Sequence, residues 1–433
     1  MNSLPHSRSI YVKFRLYVFA CSLLIYSCFG VPTPNDIGWV EIITGGGLIL
    51  SVGIPHAAFL FWNRMDGGYR PLWMTPAWLL LIYGMSCSLL MAMVQGHQMM
   101  LIFRDIIPFL FMLLPLFMYE MISKFSAKEC EFVLWITIAA GMIFSLRSLY
   151  ILQYQGGFAD IDALYLANAP TVLFAAIYMV TLGMLRFRFR APILPLVLIG
   201  IAVIPMMAMG DILQRASFGV IAISATLVWV SVCRQSLLRA GFFIGLAGLV
   251  LWLFQEGIYD LVASLHQKHE NVGGNMRFQE LEAVWEHVSA YALTAFFGNG
   301  WGAPITSPAV GGLTVNFTHS LISASLLKTG IIGTILVIFY LGALGITLVK
   351  ILYQHPALAI ALCWPFLIDI FLYASYKSLD FGLILMVIAC YGVKGHKLNI
   401  QNSNRIEGNE HKTHRIGQSD ISADTGTYRP SSL

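Results

Sequence analysis

Again and again along its 433 residues this chain holds apolar runs about 20 residues long. No other feature constrains it as much. A helix of that length rises about 30 Å, the thickness of a bilayer's hydrocarbon core. Inside that medium every backbone N–H and C=O must find a partner within the chain, which leaves helices or closed barrels. The runs are continuous rather than alternating, which argues against a barrel. Charged residues make up 11% of the chain and hydrophobic ones 58%, against roughly 25% charged in an ordinary soluble domain. Those proportions exclude a soluble enzyme, a disordered chain and a nucleic-acid binder. The expected fold is an all-α integral membrane bundle.

Twelve spans are expected, at 14–31, 37–61, 72–95, 99–121, 131–150, 165–185, 191–210, 215–233, 238–256, 319–349, 356–375 and 379–393. The first follows Arg8, Lys13 and Arg15 as a signal peptide would. No A-x-A pattern follows it, so it is kept as a helix. With the N-terminus inside, all but seven of the 26 Lys and Arg fall on the cytoplasmic side. That bias follows the positive-inside rule and predicts both termini in the cytoplasm. The transmembrane domain covers 1–394, and residues 257–318 form one large outer loop. A connection that long in a compact protein is usually functional. Residues 395–433 are polar and nearly free of aromatics, and are expected to form a disordered tail. The 7 cysteines lie in or beside apolar runs, with no CxxC motif, and read as packing residues.

The seven basic exceptions are Arg104, Arg147, Arg215, Lys268, Arg277, Lys328 and Lys377. Guanidinium is costly to bury near a membrane and binds phosphate bidentately. Arg104, Arg147, Arg215 and Arg277 therefore suggest a cationic, outward-facing site for a phosphorylated lipid-linked substrate. The plainer alternative is local pairing: Arg104 with Asp105, Arg215 with Asp211, and Arg277 with Glu280 or Glu282. In the loop, GGNMRFQELEAVWEHVSAY predicts an amphipathic helix with Phe278, Leu281, Trp285 and Val288 on one apolar stripe. Gly273, Gly274 and Asn275 would stop and cap it. Its acids Glu280, Glu282 and Glu286 would then lie on a solvated face. The turn FFGNGWGAP follows, with Gly298, Gly300 and Gly302; by itself it reads as an ordinary turn. Thr318 is the expected N-cap of the tenth span, putting His319 in its first turn as a neutral imidazole able to act as a general base. An interfacial histidine bonded to backbone is the bland alternative. Lys328, nine positions on, should not share a face with His319. Asp369, Glu41 and His56 are lesser candidates, and Asp369 could pair with Lys377 or an arginine.

The order of these features is that of a known group. An Arg opens a span at LQRASFGV. A long outer loop holds R-x7-W (Arg277, Trp285), then G-N-G-W-G, then His319, then a G-x-x-G span (Gly330, Gly333). Over about 210–335 the chain resembles the O-antigen ligase and O-antigen polymerase superfamily. Those are membrane glycosyltransferases that use undecaprenyl-diphosphate-linked glycans. The resemblance implies that Arg215 and Arg277 bind the lipid diphosphate and that His319 activates the acceptor hydroxyl. Arg104, Arg147, Trp285, Gly300 and Ser320 are further candidates for substrate binding. Ser320 stands where the family commonly has Asn, and Gln214 where it often has Ser before the first Arg.

The expected reaction is therefore inverting glycosyl transfer at the periplasmic face of a bacterial inner membrane. The acceptor would be lipid A core for a ligase, or a second lipid-linked glycan for a polymerase. No DxD or carboxylate cluster in the loop argues for a divalent ion, and neither metal nor cofactor is expected. A lipid-linked oligosaccharide flippase or other transporter is the alternative. It should gather paired charges and broken helices near the midplane.

Overall fold

A computed structural model describes residues 5–31, 38–53, 70–154, 161–212, 214–253 and 276–395, with positions 255, 259 and 263. The start of the large loop, the expected cap at 273–275, His56 and the tail beyond 395 lie outside the described residues. The chain runs through α1 (Pro5–Phe29), α2 (Trp39–Val52), α3 (Met74–Val94), α4 (Met99–Met112) and α5 (Ala127–Tyr154). It continues through α6 (Ile161–Ala167), α7 (Pro170–Arg186), α8 (Ile193–Asp211), α9 (Arg215–Gln235) and α10 (Leu237–Leu253). The loop then gives α11 (Arg277–Ser289), α12 (Ala292–Phe297) and a hairpin of β1 (Ile305–Ser307) with β2 (Leu313–Val315). Last come α13 (Leu321–Gln354), α14 (Pro356–Phe371) and α15 (379–395). The fold is that of an all-α membrane protein, with one small hairpin the sequence reading did not contain. Among the described residues, α1, α3, α5, α8, α9 and α13 are long and apolar enough to cross a membrane. α2, α7, α10 and α14 are shorter apolar helices.

Two helices form the centre. In α7 every side chain from Pro170 to Met179 is buried, and in α15 every one from 379 to 391. A helix enclosed on all sides has no polar face, so periodicity has nothing to show there. α9 and α10 sit at the rim and expose Leu227, Ile244, Leu249 and Trp252, as lipid-facing helices do. The expected fourth span is not continuous. α4 ends at Met112 and is followed by the single turns Leu114–Phe117 and Tyr119–Ile122. Pro115 cannot donate the N–H that would carry the helix onward.

Two arginines, Arg15 buried and Arg147 half-buried, hold the two ends of α1. Arg15, only 2% exposed, meets Glu120 at 2.8 Å and the carbonyls of Ser51 and Val52 at the end of α2. At the other end of α1, Arg147 donates to the carbonyls of Ser27 (2.8 Å) and Gly30 (2.7 Å). Both guanidiniums satisfy helix-terminal carbonyls that have no partner within the helix.

Candidate active site

α11 presents a different face to the protein from the one its apolar stripe suggests. Glu280, Val284 and Val288, at successive four-residue steps, are buried. Phe278 is 87% exposed and Trp285 47%. Val284 and Val288 pack with Ala303, Ile305 and Leu327, so the hairpin and α13 select this face. Glu280 is thus not on a solvated face, although Glu282 and Glu286 are exposed.

The carboxylate of Glu280 is fully engaged. Ser307 Oγ donates to Oε1 at 2.6 Å, and the His319 backbone N–H donates to Oε2 at 2.9 Å. His319 Nδ1 lies 3.0 Å from Oε1. Burial pushes the Glu280 carboxyl up, while the Ser307 hydrogen bond and the Arg277 charge pull it down. With Nδ1–H given to the carboxylate, the ring takes the tautomer whose Nε2 carries a lone pair. Nε2 has no hydrogen-bond partner among the described residues, and the ring packs edge-on to Phe317 at 5.6 Å.

His319 is not in the first turn of α13. The helix starts at Leu321, and Ser320 is its N-cap, accepting from the Ser323 N–H at 3.0 Å. Thr318 instead accepts from the Ser323 hydroxyl at 2.9 Å. The Ser320 side chain, expected to bind substrate, is committed to this cap. The imidazole is governed by a buried carboxylate rather than by a helix dipole.

Arg277 opens α11 one turn before Glu280. Its Nε and Nη1 are buried and have no hydrogen-bond partner among the described residues. It makes no ion pair with Glu280 or Glu282 at bonding distance, although Glu280 acts on it electrostatically. Burial lowers the Arg277 pKa, opposed by the Glu280 charge. Guanidinium nitrogens taken out of water without partners are costly, and such groups are satisfied when an anion arrives. Arg215 opens α9 as expected. Both arginines act electrostatically on the Tyr373 hydroxyl, just beyond the end of α14. Tyr373 thus links the two arginines electrostatically, and Glu280 links Arg277 to His319.

The other candidates go elsewhere. Arg104 is exposed on α4, and Asp105 pairs not with it but with Lys328 at 2.7 Å and Lys377 at 3.4 Å. That also overturns the pairing of Asp369 with Lys377. Asp369 accepts from Ser375 instead. Arg147 is occupied by the α1 carbonyls. Glu41 caps α2 by accepting from Gly38 N–H at 2.9 Å.

The glycine-rich turn is more than an ordinary turn. α13 breaks at Gly330, whose φ is 63°. The break frees carbonyls, and the turn supplies their donors: Asn299 N–H to Leu327 at 2.9 Å, Gly300 N–H to Lys328 at 3.1 Å. Trp301 Nε1 donates to the Gly84 carbonyl at 2.8 Å, at the start of the π turn Gly84–Ser88 in α3. Gly300 has φ 81°, and a Cβ there would lie 2.2 Å from the backbone nitrogen of Ala92. Its place is buried between helices, not open to a sugar. The signal for this docking is the pairing of Gly298–Gly302 with Gly330, but spacing alone cannot say that the two meet. Glu280 as the partner of His319, and Tyr373 beside the arginines' charges, were missed for a similar reason: nothing near either in sequence marks the relation.

Among the described residues no group of three or more His, Cys, Asp or Glu side chains could hold a metal ion. No protein-family profile and no curated protein matches this chain.

Proposed function

We propose that this protein is a membrane glycosyltransferase of the O-antigen ligase or polymerase type. It would transfer a glycan from undecaprenyl diphosphate to an acceptor sugar at the periplasmic face of a bacterial inner membrane. The observation that carries the reading is the His319–Glu280 pair beside Arg277, whose buried Nε and Nη1 lack partners. In this reading the acceptor hydroxyl oxygen attacks the anomeric carbon from the side opposite the diphosphate, inverting its configuration. Its proton passes to His319 Nε2, and Glu280 stabilises the imidazolium that forms. The bond from the anomeric carbon to the phosphate oxygen breaks, and the electron pair leaves with the diphosphate. Arg277 and Arg215 stabilise the charge developing there, which is commonly the largest electrostatic contribution in such a reaction.

The twelve-span topology belongs to the same proposal, with both termini cytoplasmic and 257–318 outside. The 34 residues of α13 extend about 51 Å, well beyond a core of about 30 Å. With Lys350 at the inner boundary, about 20 residues of span end near the Gly330 break. The segment before it, with His319, then lies at the outer surface. A transporter would keep its break and paired charges near the midplane, so this geometry favours surface chemistry. Single-cysteine labelling at position 291, which is 74% exposed, checks it. Reaction with an impermeant reagent is expected in intact spheroplasts. Labelling only after the cytoplasmic face is opened would sink both topology and mechanism.

Arg277→Lys tests the site. Lysine keeps the charge but loses the planar two-point fork that matches a diphosphate. Purified Arg277→Lys in a transfer assay with lipid-linked donor should lose at least about 10-fold in turnover, the worth of one charge-assisted hydrogen bond. It should remain folded, since no protein partner is broken. Turnover equal to the parent protein would reduce Arg277 to a local structural cation.

A further inference from the structure

The sequence singled out Lys328 and Lys377 as cations on the wrong side of the charge rule, and the mechanism above uses neither. Both converge on one carboxylate. Asp105 is 7% exposed. It takes Lys328 Nζ on Oδ2 at 2.7 Å, Lys377 Nζ on Oδ1 at 3.4 Å, and the Gly302 N–H on Oδ2 at 2.7 Å. Lys328 is saturated, since it also donates to the carbonyls of Ala303 (2.7 Å) and Asn316 (3.2 Å). Lys377 is not. Its remaining contacts are the Asn316 carbonyl at 3.5 Å and the face of Phe317 at 5.8 Å. The three side chains border a small cavity of about 50 Å³ with Ser325, Trp301 and Tyr376.

Two ammonium groups on one carboxylate leave one positive charge uncompensated, and a buried charge without a counter-charge is expensive. Most of the cavity's lining is apolar, Phe109, Met112 and Leu321 among it, so the unmatched charge is met at Lys377 rather than inside the cavity. Lys377 is the more open of the two lysines, with 18% of its side chain exposed against 5% for Lys328. Phe317 carries Lys377 on its ring and packs against the ring of His319. Lys377 is therefore one aromatic ring away from the proposed base.

We propose that Lys377, held in place by Asp105 and Lys328, binds an anionic oxygen of the substrate, a carboxylate or a phosphate, beside His319. The identity of that ligand as a glycan substrate rests on the glycosyl-transfer reading; the presence of an anion site does not. Two sources could supply the anion: an acidic sugar of the acceptor, or the diphosphate of the donor.

Binding is measured, without turnover, on purified full-length protein in nanodiscs with three probes. They are a glucuronate-containing tetrasaccharide, its carboxyl-reduced neutral counterpart, and undecaprenyl diphosphate. Lys377→Gln should weaken the acidic tetrasaccharide at least about 10-fold and leave the neutral one unchanged. Lys377→Arg should retain most of the affinity, which a merely lost fold would not allow. A loss confined to undecaprenyl diphosphate would keep the anion site and assign it to the donor. Unchanged binding of all probes by Lys377→Gln, in protein with the parent melting temperature, would overturn the proposal. Because no reaction is read, an inactive His319 variant leaves this test intact.

Discussion

His319→Gln is expected to lower glycosyl transfer by about 10²–10⁴-fold, the usual worth of general-base help. An acceptor hydroxyl is far too weak an acid to ionise near pH 7. Its proton must leave as the oxygen attacks. Glutamine can keep a hydrogen bond to Glu280, which holds His319 Nδ1 at 3.0 Å and the His319 backbone N–H at 2.9 Å. It cannot take a proton. The variant should stay in the membrane and, on the proposed mechanism, bind lipid-linked donor no more weakly than the parent protein. Glu280→Gln should be less severe for chemistry, because an amide oxygen in the Oε1 position can still accept from Ser307 and His319 Nδ1, while its NH2 then faces the His319 backbone N–H and loosens the site. It should still slow turnover, since the imidazolium loses its carboxylate. Turnover by His319→Gln within about 3-fold of the parent would mean that the histidine only positions the acceptor. A 10-fold loss is 1.4 kcal/mol, so the range expected here is far outside that.

Asp105→Ala should be the most damaging substitution for stability. It strands two ammonium groups and the Gly302 N–H at once. Removing one partner of a buried ion pair costs about 3–5 kcal/mol. The damage should centre on the segment from Gly298 to Asn316. Thermal unfolding in detergent, with proteolysis of that segment read separately, measures it. A double replacement, Asp105→Leu with Lys328→Met, should recover a good part of the loss, since apolar side chains of similar volume often replace a buried pair without penalty. An Asp105→Ala protein within about 0.5 kcal/mol of the parent would show that Lys328 and Lys377 are satisfied by carbonyls alone.

α13 shows how local chemistry and tertiary contacts divide the work. Its apolar length and the Ser320 cap are local properties. The break at Gly330 is not, because it persists only where Asn299 and Gly300 supply the donors that Leu327 and Lys328 lose. α11 divides in the same way. Its helical period is plain in sequence, yet the face it buries is Glu280, Val284 and Val288 rather than the more apolar Phe278, Leu281 and Trp285. Hydrophobicity orients a helix only when its sole partner is water. Beside a hairpin and α13, shape and hydrogen bonding choose between the faces.

The sequence by itself determined the membrane class and most of the helical positions, and it singled out Arg215, Arg277 and His319 as candidates. Each depends on near neighbours: run length, charge placement, the spacing of a motif. Only the tertiary structure decided the partners. It gave His319 to Glu280 across 39 residues, Lys328 and Lys377 to Asp105 across more than 200, and Trp301 to the Gly84 carbonyl across 217. A buried charge or polar group must be satisfied by whatever group the fold brings to it, and in an apolar bundle with few charges that group is seldom close in the chain.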